Sequence, residues 1–341
     1  MAAAEIPQVL ERALDPDWLG GVLGQALAKV ELVELIRTVA TKARFLAHPA
    51  DGGAPLALCL KGLLDVDAMT ARGGPTMVKE ADFYGKVARH VAVRVPVHVA
   101  SAIDREAQGA VVIMRDVIAD GGTFCSALAP FTVDDAAQSL GQIAALHAGR
   151  GLLAERPWIT RRIDSFAERP HLDAPQLQAL LDDSRGESLI PATRNAARLL
   201  AAIKALAPRD AARPQFLVHG DAHAGNIFRT ADGSTGLIDW QLLQSGGWAL
   251  DLAYHLAAVL PVEVAELEER RLLGHYLALM RAQGCAMPDD EEAWAQYREA
   301  AAYGYYLWAI TRKVDRPIID TFTARLGAAV TRHDSFGLLG V

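Results

Sequence analysis

The sequence has 341 residues, 51% of them apolar, which is more than one compact core needs and predicts one large domain or two lobes. A formal charge of −7, with pI about 5.8 and no basic stripe interleaved with aromatics, argues against a nucleic-acid partner. Cys59, Cys125 and Cys285 are odd in number and far apart, which argues against a disulfide framework and a thiolate zinc site and fits a reducing compartment.

The N-terminal stretch carries Glu5, Glu11, Asp15 and Asp17 where a signal peptide has a basic start and an apolar core. No apolar run reaches membrane-spanning length, so the expectation is a cytoplasmic protein without a membrane partner. Residues 1–30 predict one or two short helices, with Asp15-Pro16-Asp17 as a helix start. Val30–Val39, Ala40–Ala47 and Pro55–Leu63 have strand character, and the turn-rich residues 48–54 join the last two as a hairpin. Lys61 sits near the end of the apolar run Leu56–Leu60, which is natural if it reaches into a cleft. Thr76 is the expected N-cap of a helix from Met77 to about Ala92, with Met77, Ala81, Tyr84 and Ala88 on one face and Glu80 beside them. Val95–Ile103 and Ala110–Met114 predict a second hairpin, and the polar residues 115–122 a linker.

From Phe124 the period becomes helical, through Val133–Arg150, Ile163–Leu180 and Ala192–Leu206. After the central stretch it resumes in Leu250–Leu260, Glu263–Gln283, Glu291–Val314 and Asp320–Val330. The pattern is α+β: a small antiparallel sheet lobe with one helix over residues 1–114, then a larger, mainly helical lobe over 123–341.

The central stretch, Phe216–Asp251, places ionisable groups among apolar segments, which is costly unless they are paired or functional. Asp221 follows the short strand Phe216-Leu217-Val218. Asn226 precedes Ile227-Phe228, and Gly236-Leu237-Ile238 ends in Asp239. A hairpin turning at Ala231–Ser234 would bring Asn226 and Asp239 to the same strand end. An amide oxygen and a carboxylate there suit Mg²⁺, and Asp221 could accept a proton from a substrate hydroxyl. His219, Asp221 and His223 alternate, so a zinc site is a second reading, against which Gly220 and Gly225 argue for a loop.

His219-Gly220-Asp221-Ala222-His223-Ala224-Gly225-Asn226 and Ile238-Asp239-Trp240-Gln241 resemble the signature of the aminoglycoside phosphotransferase and choline kinase group. The form of the second motif, with Gly-Gly-Trp-Ala-Leu-Asp251 after it, looks closest to the ecdysteroid-kinase-like branch. The resemblance implies a two-lobed, protein-kinase-like fold with nucleotide and Mg²⁺ between the lobes. It also implies transfer of the ATP γ-phosphoryl group to a small-molecule hydroxyl. Asp221 would be catalytic, and Asn226 and Asp239 would hold the metal. Lys61, aligned by Glu80, would hold the α/β-phosphates. Val111–Val117 resembles the segment that receives adenine, which marks Met114 and Val117. His219 and Asp251 would be structural, and His223 either touches phosphate or orients the loop. The phosphate-covering loop departs from the pattern: Arg37–Ala43 has no glycine, leaving Thr38, Thr41 and Lys42 as side-chain donors. That departure leaves open a non-catalytic nucleotide-binding protein.

Outside the resemblance, Asp251 could simply cap a helix Leu252–Leu260. His147 and Cys59 read as core residues. Tyr303, Tyr305, Tyr306 and Trp308 read as core or as a substrate wall. Asp182, Asp183 and Glu187 offer an acidic patch for an aminoglycoside, although Arg185 among them suits a solvated loop. The ecdysteroid-like branch implies a bulkier, more apolar alcohol. The acceptor and the oligomeric state stay open.

Overall fold

The computed structural model describes residues 6–341, so Met1–Glu5, at the head of the first predicted helices, lie outside the described residues. The chain divides into two compact units. Unit 1 comprises the chain up to His90, Arg94–Thr123 and Phe228–Gln241, and unit 2 comprises Val91–Val93, Phe124–Ile227 and Leu242–Val341.

Unit 1 is built on a five-stranded antiparallel sheet of β1 (Leu27–Arg37), β2 (Thr41–Pro49), β3 (Leu56–Gly62), β4 (His98–Asp104) and β5 (Gly109–Arg115), in the order β1-β2-β3-β5-β4. Strict alternation in β2 buries Ala43, Phe45 and Ala47 on one face, with Leu58, Leu60, Val111 and Ile113 beside them. Helices α1 (Leu10–Ala13) and α2 (Pro16–Leu23) bring Leu10, Ala13 and Leu19 to this core, and the Asp15 side chain caps α2 as its sequence suggests. The pairing register puts Lys42, Lys61 and Val112 in one row on the opposite face, and Arg44, Cys59 and Met114 in the next.

After the short helix α3 (Ala68–Ala71) comes α4 (Gly74–Lys86), which differs from expectation. Its N-cap is Gly73, not Thr76, because Pro75 fits the first helical turn, where a missing N–H costs nothing. Thr76 lies inside that turn and donates its hydroxyl to Gly73 O. The helix ends at Lys86 rather than near Ala92. β4 starts at His98, after Pro96, which cannot donate to a ladder. Strand Ile227–Arg229 carries the chain back into unit 1, where it pairs with Thr235–Leu237.

Unit 2 is mainly helical: α5 (Val133–Ala148), α6 (Arg162–Glu168), α7 (Ala174–Leu181), α8 (Ala196–Ala211), α9 (Ala249–Val259), α10 (Val262–Ala282), α11 (Asp290–Ile310), α12 (Arg316–Arg332) and α13 (Ser335–Leu338). The single helix expected over Ile163–Leu180 is two. Arg169 precedes Pro170 and cannot stay helical, and α7 restarts at the Asp173/Gln176 capping box. Every residue of α9 is buried, so its polar members need internal partners. Phe216–Val218 pairs antiparallel with Gln244–Gly246 beside it. Arg185 corrects the solvated-loop reading: it is buried and donates to the carbonyls of Trp308, Ala309 and Thr311 at the end of α11. Among the described residues no helix is long and apolar enough to cross a membrane.

Candidate active site

In unit 1 the Lys61 ammonium lies 2.7 Å from Glu80 and 3.0 Å from Asp239. Lys61 and Glu80 are only 3% and 1% exposed, so neither is a solvated surface charge. Burial alone would lower the lysine pKa, but Asp239 and Glu80 together raise it above its ordinary value and keep the ammonium protonated. Two carboxylates share this cation, and burial together with the Asp239 charge pushes the Glu80 pKa up.

The triplet Asp239-Trp240-Gln241 is fastened to α4, the helix that carries Glu80. The Trp240 ring stacks on Phe83 with centroids 3.7 Å apart, and Gln241 Nε2 donates to Met77 Sδ at 3.0 Å. Asp239 has φ +67°, a left-handed conformation that costs a non-glycine residue about 1–3 kcal/mol and persists only where neighbours impose it.

The turn between β1 and β2 closes with Thr38 N donating to Ala40 O. Lys42 Nζ donates to Thr38 Oγ1 at 3.4 Å, and burial together with the Lys61 charge lowers the Lys42 pKa. Thr41 is buried and its hydroxyl donates to Leu64 O, so that proton is already committed. Met114 lies on the Lys61 face of the sheet, and Val117 O accepts from Gly122 N.

In unit 2 the loop from His219 to Asn226 is held from below by Asp251. Its carboxylate accepts from His219 N at 2.7 Å, from Gly220 N at 2.8 Å and from the His147 ring at 3.0 Å. His147 Nδ1 meets the Tyr276 hydroxyl at 2.6 Å, so the core histidine is part of the brace. The capping reading of Asp251 is corrected: α9 begins at Ala249 behind Trp248, and Asp251 points out of its first turn into the loop. Gly220 has φ +80°, and a Cβ there would meet Leu242 O at 2.5 Å, so only glycine fits.

The Asp221 carboxylate is oriented on both oxygens. Tyr254 Oη donates to Oδ1 at 2.9 Å, and Asn226 Nδ2 donates to Oδ2 at 3.2 Å and to the Asp221 carbonyl at 2.8 Å. With its nitrogen used in this way, Asn226 presents its amide oxygen as an acceptor, the hard donor that Mg²⁺ takes. Trp308 Nε1 donates to Tyr254 Oη at 2.6 Å, and Tyr303 Oη donates to Gly220 O at 2.9 Å. The late aromatic cluster is therefore core, and the polar ends of Tyr303 and Trp308 brace the loop, while Tyr305 Oη donates to Thr193 O.

The alternating His219, Asp221 and His223 do not form a strand or a ligand set. Asp221 N donates to His219 Nδ1 and Gly225 N to His223 Nδ1. Among the described residues no group of three or more His, Cys, Asp or Glu could hold a metal. His223 Nε2 lies 3.7 Å from Asp221 Oδ2, its ring packed among Trp308 and Phe322.

Sequence reading missed Tyr254 altogether and, for Trp308, missed the bond to Tyr254. Tyr254 had a usable signal, since it lies three residues after Asp251 and so on the same face of α9. Trp308 acts across 54 residues and had none.

The model of a phosphotransferase enzyme family matches residues 69–301. Choline kinase LicA from Streptococcus pneumoniae is similar in structure at 12% identity and a TM-score of 0.51, over 94% of this chain and 99% of that one. A thermostable mutant of aminoglycoside phosphotransferase APH(4)-Ia is similar at 15% identity and a TM-score of 0.50, over 94% and 98%. At such identities the likeness shows the α+β, protein-kinase-like fold. No curated protein matches the sequence.

Proposed function

We propose that this chain, which belongs to the phosphotransferase enzyme family, moves the γ-phosphoryl group of ATP to a hydroxyl of a small molecule. The observation that carries this reading is the Lys61 ammonium held between Glu80 and Asp239. A buried, protonated lysine at the end of a strand is suited to the α/β-phosphates, with Lys42 and Thr38 as further donors in the turn beside it. Met114 and Val117 would meet the adenine. Asn226 and Asp239 would hold Mg²⁺, which when bound neutralises charge on the transferring group.

Asp221 accepts the proton of the attacking hydroxyl or fixes that hydroxyl in line. Tyr254 and Asn226 each hold one of its oxygens, so the carboxylate is oriented before the acceptor arrives. Tyr254→Phe is expected to lower kcat about tenfold and to leave the KM for ATP unchanged, because one hydrogen bond to a charged oxygen is lost. Steady-state kinetics of ADP release would check this, and an unaltered kcat would remove Tyr254 from the positioning of Asp221.

The acceptor is constrained by what its candidates already do. Asp183 pairs with Arg185 and Arg316, and Asp182 with Arg194, which weakens the acidic patch as an aminoglycoside subsite. Tyr303, Tyr305, Tyr306 and Trp308 are buried, so their ring faces are not open to a quaternary ammonium, which weakens the reading of a choline cage. The resemblance to the ecdysteroid-kinase-like branch favours a bulkier, more apolar alcohol. Incubating the protein with ATP, Mg²⁺ and a panel of alcohols, sugars, sterol-like compounds and antibiotics should release ADP with at least one acceptor. ATP binding without ADP release from any of them would favour the second reading, a non-catalytic nucleotide-binding protein, which the glycine-free Arg37–Ala43 turn keeps open.

A further inference from the structure

Arg162 opens α6 in unit 2 and is not used above. Its Nε is buried and makes no hydrogen bond, and its guanidinium lies 5.2 Å from the Phe166 ring centroid. Its neighbour Arg161, by contrast, bonds Asp164, Asp210 and Gln215, and Arg332 bonds Glu269. Arg162 is otherwise partly exposed, and its planar fork, shaped for an oxyanion, holds no carboxylate and stays open to solvent.

Arg162 is also tied to the catalytic loop. Its backbone N and that of Ile163 donate to Gln244 Oε1 at 3.0 and 3.2 Å. Gln244 Nε2 donates to Tyr303 Oη, and Tyr303 Oη donates to the carbonyl of Gly220, next to Asp221. Gln244 therefore fixes the start of α6 against the residue that precedes the proton acceptor. Phe166 packs 5.3 Å from the Tyr306 ring and 5.5 Å from that of His171, which gives the guanidinium an aromatic floor. Burial lowers the Arg162 pKa.

From these contacts we infer that Arg162 receives an oxyanion, carboxylate or phosphate, carried by the acceptor, so that the substrate is a hydroxylated acid. The inference rests on the phosphotransfer reading for its hydroxyl, and on the unpaired guanidinium and the Gln244 tether for its anion. Arg162 would select by charge.

The test uses the full chain as wild type, Arg162→Lys and Arg162→Gln. The probes are hydroxy acids matched with their methyl esters and amides, together with phosphate monoesters of the corresponding diols. Thermal stabilisation reads binding without turnover, and ADP release reads kcat/KM. The wild type should prefer an acid or a phosphate monoester over its neutral partner by about ten- to a hundred-fold. Arg162→Gln should lose that preference, and Arg162→Lys should keep part of it. Carboxylate and phosphate members separate the two sources of the anion. Equal binding of charged and neutral probes by the wild type, or a preference that survives in Arg162→Gln, overturns the inference. A weakening of ATP that is equal with every acceptor also overturns it, by assigning the guanidinium to the nucleotide. Arg162-dependent binding of acids without ADP release would uphold the anion site and sink the phosphotransfer reading. ADP release with neutral acceptors alone would do the reverse.

Discussion

Asp221→Asn is expected to reduce phosphoryl transfer by about 10²- to 10⁴-fold, the range lost when a positioned general base is removed. The substitution is nearly isosteric. Its oxygen can still accept from Tyr254, but the new amide group would face Asn226 Nδ2, donor against donor, where Oδ2 now accepts. The loop itself hangs on Asp251 and Tyr303 through the backbone of His219 and Gly220, so the fold should survive. Lys61, Glu80 and Asp239 lie in unit 1 and are untouched, so ATP affinity should change little. Single-turnover ADP formation alongside nucleotide titration would separate the two effects. Turnover at the wild-type rate would remove Asp221 from the chemistry.

The second large effect is expected at Asp251. Asp251→Asn leaves one acceptor oxygen where two carboxylate oxygens now serve His219 N, Gly220 N and the His147 ring. The new NH₂ must face at least one of these donors, at a position with no exposure. Leaving a buried donor unsatisfied and removing a buried charge together cost about 2–4 kcal/mol. Thermal unfolding should shift down by roughly 5–10 °C, and turnover should fall as well, because the loop that carries Asp221 loses its anchor. Wild-type stability in the variant would show that the network is not structural.

The same carboxylate fixes a pH dependence. Burial pushes the Asp251 pKa up, but the bonds from His147 and from the Gly220 backbone, with the charges of His147 and His219, outweigh it and hold the value below the ordinary carboxylate range. A depressed folded pKa means that the stabilisation is fully present above the unfolded value, about 3.9, and is lost as pH falls through the folded one. Acid unfolding of wild type should therefore steepen below about pH 4, and Asp251→Asn should lack that component.

Much of the site was legible because polar residues interrupt apolar runs. Lys61 ends a β-type segment and Glu80 lies beside an apolar helix face, and the structure brings them to 2.7 Å. Asp221 and Asn226 stood out in the same way, five residues apart on one loop. The sequence could not show that Asp239 adopts a left-handed backbone beside Lys61, because the Trp240–Phe83 stack that holds it joins residues remote in the chain. Nor could it assign the polar ends of Tyr254, Tyr303 and Trp308, whose partners lie 33, 83 and 54 residues away. Helix limits slipped where proline rules compete, at Pro75 and Pro170.

The return of Phe228–Gln241 to unit 1 sets an order of events during synthesis. The sheet and α4 leave the ribosome with Phe83 bare of its ring partner, while roughly a hundred further residues are added at 5–20 per second. For on the order of ten seconds the nascent sheet thus carries an uncovered aromatic face and a Lys61–Glu80 pair without its third charge. The Asp239 carboxylate is among the last parts of its unit to be made, so it can join Lys61 and Glu80 only after about half of unit 2, the loop from His219 to Asn226 included, has been translated.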